Sequence, residues 1–126
     1  MEEQSDKITK FIKNPYTWNH MAAEKRLQDK TIRLIKDLGL AGHPIHFLKV
    51  HGNGVQRAGE PDLILCVSGK MVCIELKAPG KKATKLQRVR LDHWASAGAE
   101  THVADNFPQV ESILHKHLGD CLESCT

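Results

Sequence analysis

The sequence lacks the features that mark membrane and secreted proteins. None of its apolar stretches approaches the roughly 20 residues that a membrane-spanning helix needs. Residues 1–10 are polar and acidic, unlike the basic and apolar segments of a signal peptide. The cysteines are scattered and do not form the framework of a disulfide-rich domain; they are Cys66, Cys73, Cys121 and Cys125. We therefore expect a protein with reduced thiols and no membrane association.

Internal repeats and linkers are also missing. The chain has 126 residues, of which 40% are hydrophobic, enough for one domain with a real core. We expect an N-terminal arm over 1–18, a folded domain over 19–118 and a C-terminal tail over 119–126. The net charge is only +3, but basic residues crowd one short stretch. They are Lys77, Lys81, Lys82, Lys85, Arg88 and Arg90.

Hydrophobic periodicity predicts elements in the order α-β-β-β-α-β-α. The predicted spans are a helix over 19–38, a strand over 45–51, a hairpin over 61–77, a helix over 84–97, a strand over 101–105 and a helix over 108–118. Gly39 is the predicted end of the first helix, and Thr84 is the predicted N-cap of the second. Both hairpin strands are apolar on both faces, so we expect helices on both sides of the sheet.

The hairpin carries the most informative pattern of the chain. If Ser68-Gly69 is its two-residue turn, Asp62 lies directly opposite Glu75. Directly opposed side chains have Cβ atoms roughly 5 Å apart, and like charges there are destabilising. A divalent cation would compensate for two neighbouring carboxylates. Lys77 lies two residues beyond Glu75 and projects from the same face of its strand.

Each of these residues also has an ordinary structural interpretation. Aspartate after proline is common in turns, Glu-x-Lys often forms a strand-edge ion pair, and a helix-end glutamate such as Glu24 often reaches water. The coincidence of Asp62 and Glu75 at one end of a buried hairpin favours a Mg²⁺ or Mn²⁺ site. Glu24 would be a third acidic group, and the carbonyl of Leu76 one more ligand.

A metal site of this kind can hydrolyse a phosphodiester bond with the help of nearby cationic and polar side chains. Lys77 would orient the attacking water or offset the charge at the phosphate, and Gln87 would contact a metal-bound water or a phosphate. A solvated surface is the alternative interpretation of the surrounding cations, but beside this site they suggest contacts to a nucleic-acid backbone. These expected DNA-binding residues are Arg57, Lys81, Lys82, Lys85 and Arg88.

Two other constellations compete with this interpretation. His115 and His117, followed by Cys121 and Cys125, offer four zinc ligands, although their spacing is not that of a usual zinc finger. A histidine general base, either His51 or His93, is a further alternative.

The ordered set of a helical glutamate, G-x-x-R-x-G-x-P-D at 54–62, E-x-K at 75–77 and a downstream glutamine resembles the PD-(D/E)xK nuclease superfamily. Within it, residues 54–106 are similar to the VRR-NUC family. The resemblance covers about residues 20–118 and implies an α/β, restriction-endonuclease-like fold with a central mixed β-sheet flanked by helices. The family's metal-binding acids and lysine then correspond to Glu24, Asp62, Glu75 and Lys77, and its extra polar residue to Gln87.

The same resemblance implies divalent-metal-dependent cleavage of DNA with Mg²⁺ or Mn²⁺. The chain looks like the short stand-alone members of phages and bacteria, which implies a homodimer that cuts branched DNA such as Holliday junctions during repair. It also implies a cytoplasmic location in a bacterial or phage-infected cell. A flap or single-strand nuclease, and a module that binds DNA without cutting it, are the alternatives.

Overall fold

The structure is a computed structural model that describes the backbone of residues 15–50 and 58–124 and the side chains of 20–50 and 58–119. The order of elements is α1 (Pro15–Leu40), β1 (Ile45–Lys49), β2 (Leu63–Val67), β3 (Lys70–Leu76), α2 (Lys85–Ser96), β4 (Glu100–Ala104) and α3 (Phe107–Ser124). The predicted α-β-β-β-α-β-α order is confirmed. None of the helices in the described ranges combines the length and apolar character needed to cross a bilayer.

Both ends of α1 differ from the prediction. The helix begins at Pro15, inside the segment expected to be an N-terminal arm. Proline is favourable in a first helical turn, because the N–H groups there have no intrahelical partner. It continues past Gly39 to Leu40. The chain reverses at Gly42, whose φ of +96° suits glycine. The N–H groups of Gly42 and His43 donate to the carbonyls of Gly39 and Leu38, a Schellman motif.

The hairpin turn and its register are confirmed. Ser68 and Gly69 both have positive φ, 50° and 78°, as a type I′ turn requires. Val67 pairs with Lys70, and the register continues to Leu63 opposite Ile74. One residue further along this register, Asp62 lies opposite Glu75.

The four strands form one mixed sheet in the order β1-β2-β3-β4. β1 is antiparallel to β2 and β2 to β3, whereas β4 is parallel to β3. The β3–β4 connection contains α2, which is the usual way to join parallel neighbours. The carboxyl ends of β3 and β4 therefore lie at the same edge of the sheet, with Leu76 beside Ala104.

The main core fills one face of the sheet. Alternate residues of β2 and β3 pack there against α1 and α3 and are fully buried; they are Leu63, Leu65, Val67, Val72, Ile74 and Leu76. On the opposite face Cys73 is buried, but Cys66 and Met71 are exposed. The prediction of helices on both sides therefore holds only where α2 covers β3 and β4.

α2 begins with a complete capping box. The Thr84 hydroxyl accepts the N–H of Gln87, and the Gln87 side chain accepts the N–H of Thr84. Gly98, at φ +108°, follows its C-terminal end. α3 extends to Ser124, six residues beyond the predicted Leu118. α1, α2 and the end of the hairpin all contribute residues to the candidate site.

Candidate active site

The carboxyl end of the hairpin brings Asp62 and Glu75 together. Oδ2 of Asp62 accepts the backbone N–H of Leu76 at 2.8 Å, which fixes Asp62 across the end of β3. Glu75 is only 2% exposed. The two carboxylates are close enough for each to perturb the pKa of the other. The predicted pair is therefore adjacent in space and largely shielded from water.

Burial dominates the electrostatics of this pair. It raises the pKa of the Glu75 carboxyl to about 8, and repulsion from Asp62 acts in the same direction. Burial also raises the pKa of Asp62, although the hydrogen bond from Leu76 opposes this shift. If both buried carboxyls are ionised, a cation is needed beside them; otherwise one of them must keep its proton.

Lys77 supplies one nearby positive charge. Its Nζ lies 3.8 Å from Oε1 of Glu75, and the residue is only 9% exposed. Its backbone N–H donates to the carbonyl of Ala104 at 2.8 Å, which anchors the residue at the sheet edge. Lysine is almost never buried without a partner, so this placement indicates a role beside the carboxylates.

Glu24 reaches the same site from α1. Burial raises the pKa of its carboxyl, and repulsion from Asp62 adds to the shift, whereas the positive charges of Lys77 and Lys81 lower it. The backbone of Ala78 also lowers the pKa of this carboxyl, although less than the two lysines do. Glu24, Asp62 and Leu76 line one cavity of about 410 Å³. The helix thus delivers a third acid next to two of the other predicted ligands.

The donor set fits a hard divalent cation in composition. Oε2 of Glu75 is buried and, among the described residues, has no hydrogen-bond partner. An unsatisfied carboxylate oxygen of this kind is a ligand that Mg²⁺ or Mn²⁺ prefers. In the arrangement described for 15–50 and 58–124, however, no three His, Cys, Asp or Glu side chains are gathered into a metal-binding group. Asp62 instead accepts a hydrogen bond from the backbone N–H of Leu76.

Gln87 contacts Glu75, whereas the sequence suggested a contact to water or phosphate. Its Nε2 donates to Oε1 of Glu75 at 2.8 Å. Its Oε1 accepts the N–H of Thr84 at 2.8 Å. Both ends of the amide are therefore engaged, and the residue links the start of α2 to a carboxylate of the site.

The predicted DNA-binding cations separate into two groups. Lys81, Lys82 and Arg88 line a second cavity of about 320 Å³ beside the site. Lys85 is exposed at the first residue of α2 and lines neither cavity. Arg57 lies outside the described residues.

The alternative constellations gain no support from the described residues. His93 is exposed on α2 and lines neither cavity, and His51 lies outside the described ranges. Nε2 of His117 contacts Oε2 of Glu100 at 2.6 Å, so it joins α3 to β4. The side chains of Cys121 and Cys125 lie outside the described residues.

Several residues of the site were not predicted from the sequence. Gln28 and Lys49 line the cavity that contains Glu24 and Asp62. Gln28 follows Glu24 by four residues on α1, so helical spacing is a signal that could have identified it. Lys49 lies beside the site only because β1 pairs with β2, where it is opposite Leu63.

A larger groove, of about 490 Å³, lies between α1 and α3. Apolar residues line most of it, including Leu34, Leu38 and Leu114. The lining of this groove contains no carboxylate pair and no lysine. We therefore place the candidate site at the hairpin end, although the cavity there is smaller.

The mixed sheet, its flanking helices and the acids at one strand end define a restriction-endonuclease-like α/β fold. Two solved structures share it, each with 24% sequence identity to this chain. The first, named "VRR_NUC domain", has a TM-score of 0.60, and the match covers 74% of this chain and 95% of that one. The second, named "VRR_NUC domain protein", has a TM-score of 0.61, and the match covers 76% of this chain and 88% of that one. The chain therefore has the VRR_NUC fold. No family model and no curated protein matches the sequence.

Proposed function

We propose that this protein is a VRR-NUC family nuclease that hydrolyses DNA phosphodiester bonds with Mg²⁺ or Mn²⁺. The observation that carries the proposal is the buried Glu75 carboxyl beside Asp62, with Lys77 two residues further along the strand. Two carboxyls with raised pKa values and a lysine in one cleft are expected at an active site. Burying such groups destabilises a protein, so the arrangement is uncommon where it has no function.

The chain's own residues have distinct tasks in this proposal. Glu24, Asp62, Glu75 and the carbonyl of Leu76 would hold the cation, which when bound polarises a phosphate oxygen and acidifies water. Lys77 places its ammonium group beside Glu75, where it offsets negative charge gathering at the phosphate. Gln87 keeps Glu75 oriented through its 2.8 Å hydrogen bond.

The substrate follows from the charge around the site. Lys81, Lys82 and Arg88 are exposed next to the carboxylates, where they would contact the DNA backbone. We propose branched DNA, including Holliday junctions, as the substrate. One chain has one candidate site, and symmetric cleavage of a junction needs two, so we also propose a two-fold homodimer. A role in DNA repair in a bacterial or phage-infected cell is part of the same proposal.

The test uses a substrate panel of plasmid, four-way junction, flap and single-stranded DNA. We expect strand cleavage with Mg²⁺ or Mn²⁺, none in EDTA, and none by Asp62→Asn under any metal. Binding without any cleavage would favour a non-cleaving DNA-binding module, and cleavage of flaps or single strands alone would favour the corresponding nuclease. Sedimentation tests the dimer, because a monomer that still makes paired junction nicks contradicts it.

Metal binding is measured separately from cleavage. A ligand that binds only the folded state raises its unfolding temperature in a concentration-dependent manner. We expect Mn²⁺ to stabilise the wild type against heat and to have little effect on Glu75→Gln. Equal stabilisation of both proteins would exclude Glu75 as a ligand.

A further inference from the structure

The second cavity, of about 320 Å³, is lined by residues of the connector after β3, of α2, of the end of β4 and of α3. One of its walls is Val103, which is the residue paired with Glu75 in the parallel β3–β4 ladder. Neighbouring strands are roughly 4.8 Å apart. In open α/β sheets, ligands bind outside the carboxyl ends of the strands, and the cavity opens at that edge. A group held in it would therefore lie next to the candidate cleavage centre.

Hydrogen bonds between three segments fix the walls of this cavity. Oδ2 of Asp105 accepts the N–H of Gly80 at 3.0 Å, which ties the connector after β3 to the end of β4. The N–H of Asp105 donates to Oε1 of Gln109 at 2.8 Å, which ties β4 to α3. The cavity is therefore a defined part of the fold and not a gap beside a loose loop.

The cavity has three cations and one carboxylate, Asp105, among its lining residues. Lys81, Lys82 and Arg88 are exposed and, within the described ranges, form no ion pair shorter than 4.0 Å. Free cations of this kind suit a phosphate. In the same lining, Val103 is apolar and 41% exposed, which suits a sugar or the face of a base.

The polar groups of Asp105 and Gln109 also suit a nucleotide. Both carboxylate oxygens of Asp105 accept protein hydrogen bonds, from Gly80 and from the Asn106 side chain. Gln109 engages its Oε1 with Asp105, and its Nε2 remains as a donor toward the acceptors of a base or sugar.

The size of the cavity suits one nucleotide. Pockets for small ligands are about 300–1,000 Å³, and this cavity, at about 320 Å³, lies at the lower end of that range. We propose that the cavity is a subsite for one unpaired nucleotide of the cleaved strand, adjacent to the scissile phosphate. This inference rests on the proposed nuclease function. It predicts that the protein prefers branched DNA in which the nucleotide beside the cut is already unpaired, because unpairing a base costs free energy.

A binding experiment tests the subsite without metal or cleavage. The full-length protein, in EDTA, is titrated with thymidine 5′-monophosphate and separately with inorganic phosphate, and NMR shifts are recorded. We expect the nucleotide to shift the Val103 methyl groups and the Gln109 side-chain amide, and phosphate to leave both unchanged. Identical responses to the two ligands, or no response at Val103, would overturn the subsite in favour of a simple anion site.

Matched variants separate the subsite from general electrostatics. Arg88→Gln removes one charge from the cavity, and Lys36→Gln removes one from α1, twelve residues or about 18 Å from Glu24. We expect Arg88→Gln to weaken binding of an eight-nucleotide single strand by about fivefold or more and to reduce its salt slope by about 0.7. The expected change for Lys36→Gln is less than about twofold. Equal losses in both variants would overturn the proposal.

A third variant tests the Gln109 side of the cavity. Gln109→Glu keeps an oxygen that accepts the N–H of Asp105 but replaces the free donor with an acceptor and adds a negative charge. We expect this variant to fold normally and to bind the single strand about fivefold more weakly. Unchanged affinity in a folded Gln109→Glu protein would remove Gln109 from the subsite.

Cleavage assays distinguish failure of the subsite from failure of the nuclease function. The wild type is given two DNAs that differ only in whether the nucleotide beside the cut is paired. We expect faster cleavage of the unpaired form, and a smaller preference in Gln109→Glu. Cleavage with no such preference would overturn the subsite proposal, and the proposed nuclease function would stand. NMR shifts of Val103 on nucleotide binding, without cleavage of any DNA, would overturn the nuclease function, and the subsite proposal would stand.

Discussion

Gln87 donates a hydrogen bond of 2.8 Å from its Nε2 to Oε1 of Glu75, the most buried carboxylate of the candidate site. The same amide accepts the N–H of Thr84 and so completes the capping box of α2. One side chain therefore couples the start of a helix to the orientation of a carboxylate on the neighbouring strand.

This coupling predicts different effects for two cap variants. Thr84→Ala and Gln87→Ala each remove half of the capping box and should destabilise the protein by about 1 kcal/mol. Only Gln87→Ala also frees the Glu75 carboxylate, so we expect a much larger loss of DNA cleavage in that variant. Urea unfolding and cleavage rates measure the two effects. Equal rates in the two variants would show that Gln87 acts only through the helix.

The buried Glu75 predicts a pH-dependent stability in metal-free protein. Its pKa is raised from 4.5 to about 8, so between these values the folded state keeps a proton that the unfolded state releases. Stability therefore falls as pH rises through this window. Glu75→Gln removes the titration, so we expect the free energy of unfolding of the wild type to fall relative to this variant between pH 5 and pH 9. Urea unfolding in EDTA measures the difference, and parallel pH curves would contradict the prediction.

Asp62 has a structural role that two substitutions can separate from its charge. Both Asp62→Ala and Asp62→Asn remove the charge, and we expect both to abolish cleavage while DNA binding is kept or tightened. Asp62→Asn retains an oxygen for the N–H of Leu76, whereas Asp62→Ala leaves that N–H unpaired at a cost of about 1–3 kcal/mol. Chemical denaturation of the two proteins at one pH measures this difference. Equal stability would mean that the Leu76 hydrogen bond contributes nothing.

Gly59 allows the segment before Asp62 to pack closely on α2. Its φ is +84°, and a Cβ built there would lie 2.7 Å from Cγ of Leu86. Gly69 has a similar φ of +78° but open space around it, so it is a matched control. We expect Gly69→Ala to cost about 1–2 kcal/mol for the backbone alone. Gly59→Ala should cost about 1–3 kcal/mol more because of the clash.

Thermal or urea unfolding of the two alanine variants tests this prediction. A clash that displaces the Gly59 segment should also affect Arg90, which donates to the carbonyl of Ala58 at 3.2 Å. Equal destabilisation of the two variants would mean that Leu86 moves aside without cost.

Local patterns predicted most of the framework and missed the ends of its helices. The turn at Ser68-Gly69 and the cap at Thr84 depend on a few neighbouring residues, and both are confirmed. The start of α1 at Pro15 and its end at Leu40 were not predicted, because apolar periodicity fades before the hydrogen-bonded helix does. The prediction that helices cover both faces of the sheet was only partly correct, because the apolar pattern of the strands does not show how much of the second face α2 covers.

The amino-acid sequence by itself determined that Asp62 faces Glu75 and that Lys77 shares the face of Glu75, because alternation along a strand and a two-residue turn leave one register. Tertiary structure alone decided that Glu24 lines the cavity with Asp62, that Gln87 bonds to Glu75, and that Val103 lies beside Glu75. These contacts join segments whose meeting depends on how α1 and α2 pack on the sheet and on the parallel pairing of β4. Such long-range geometry is set by burial of the whole core, and no local pattern encodes it.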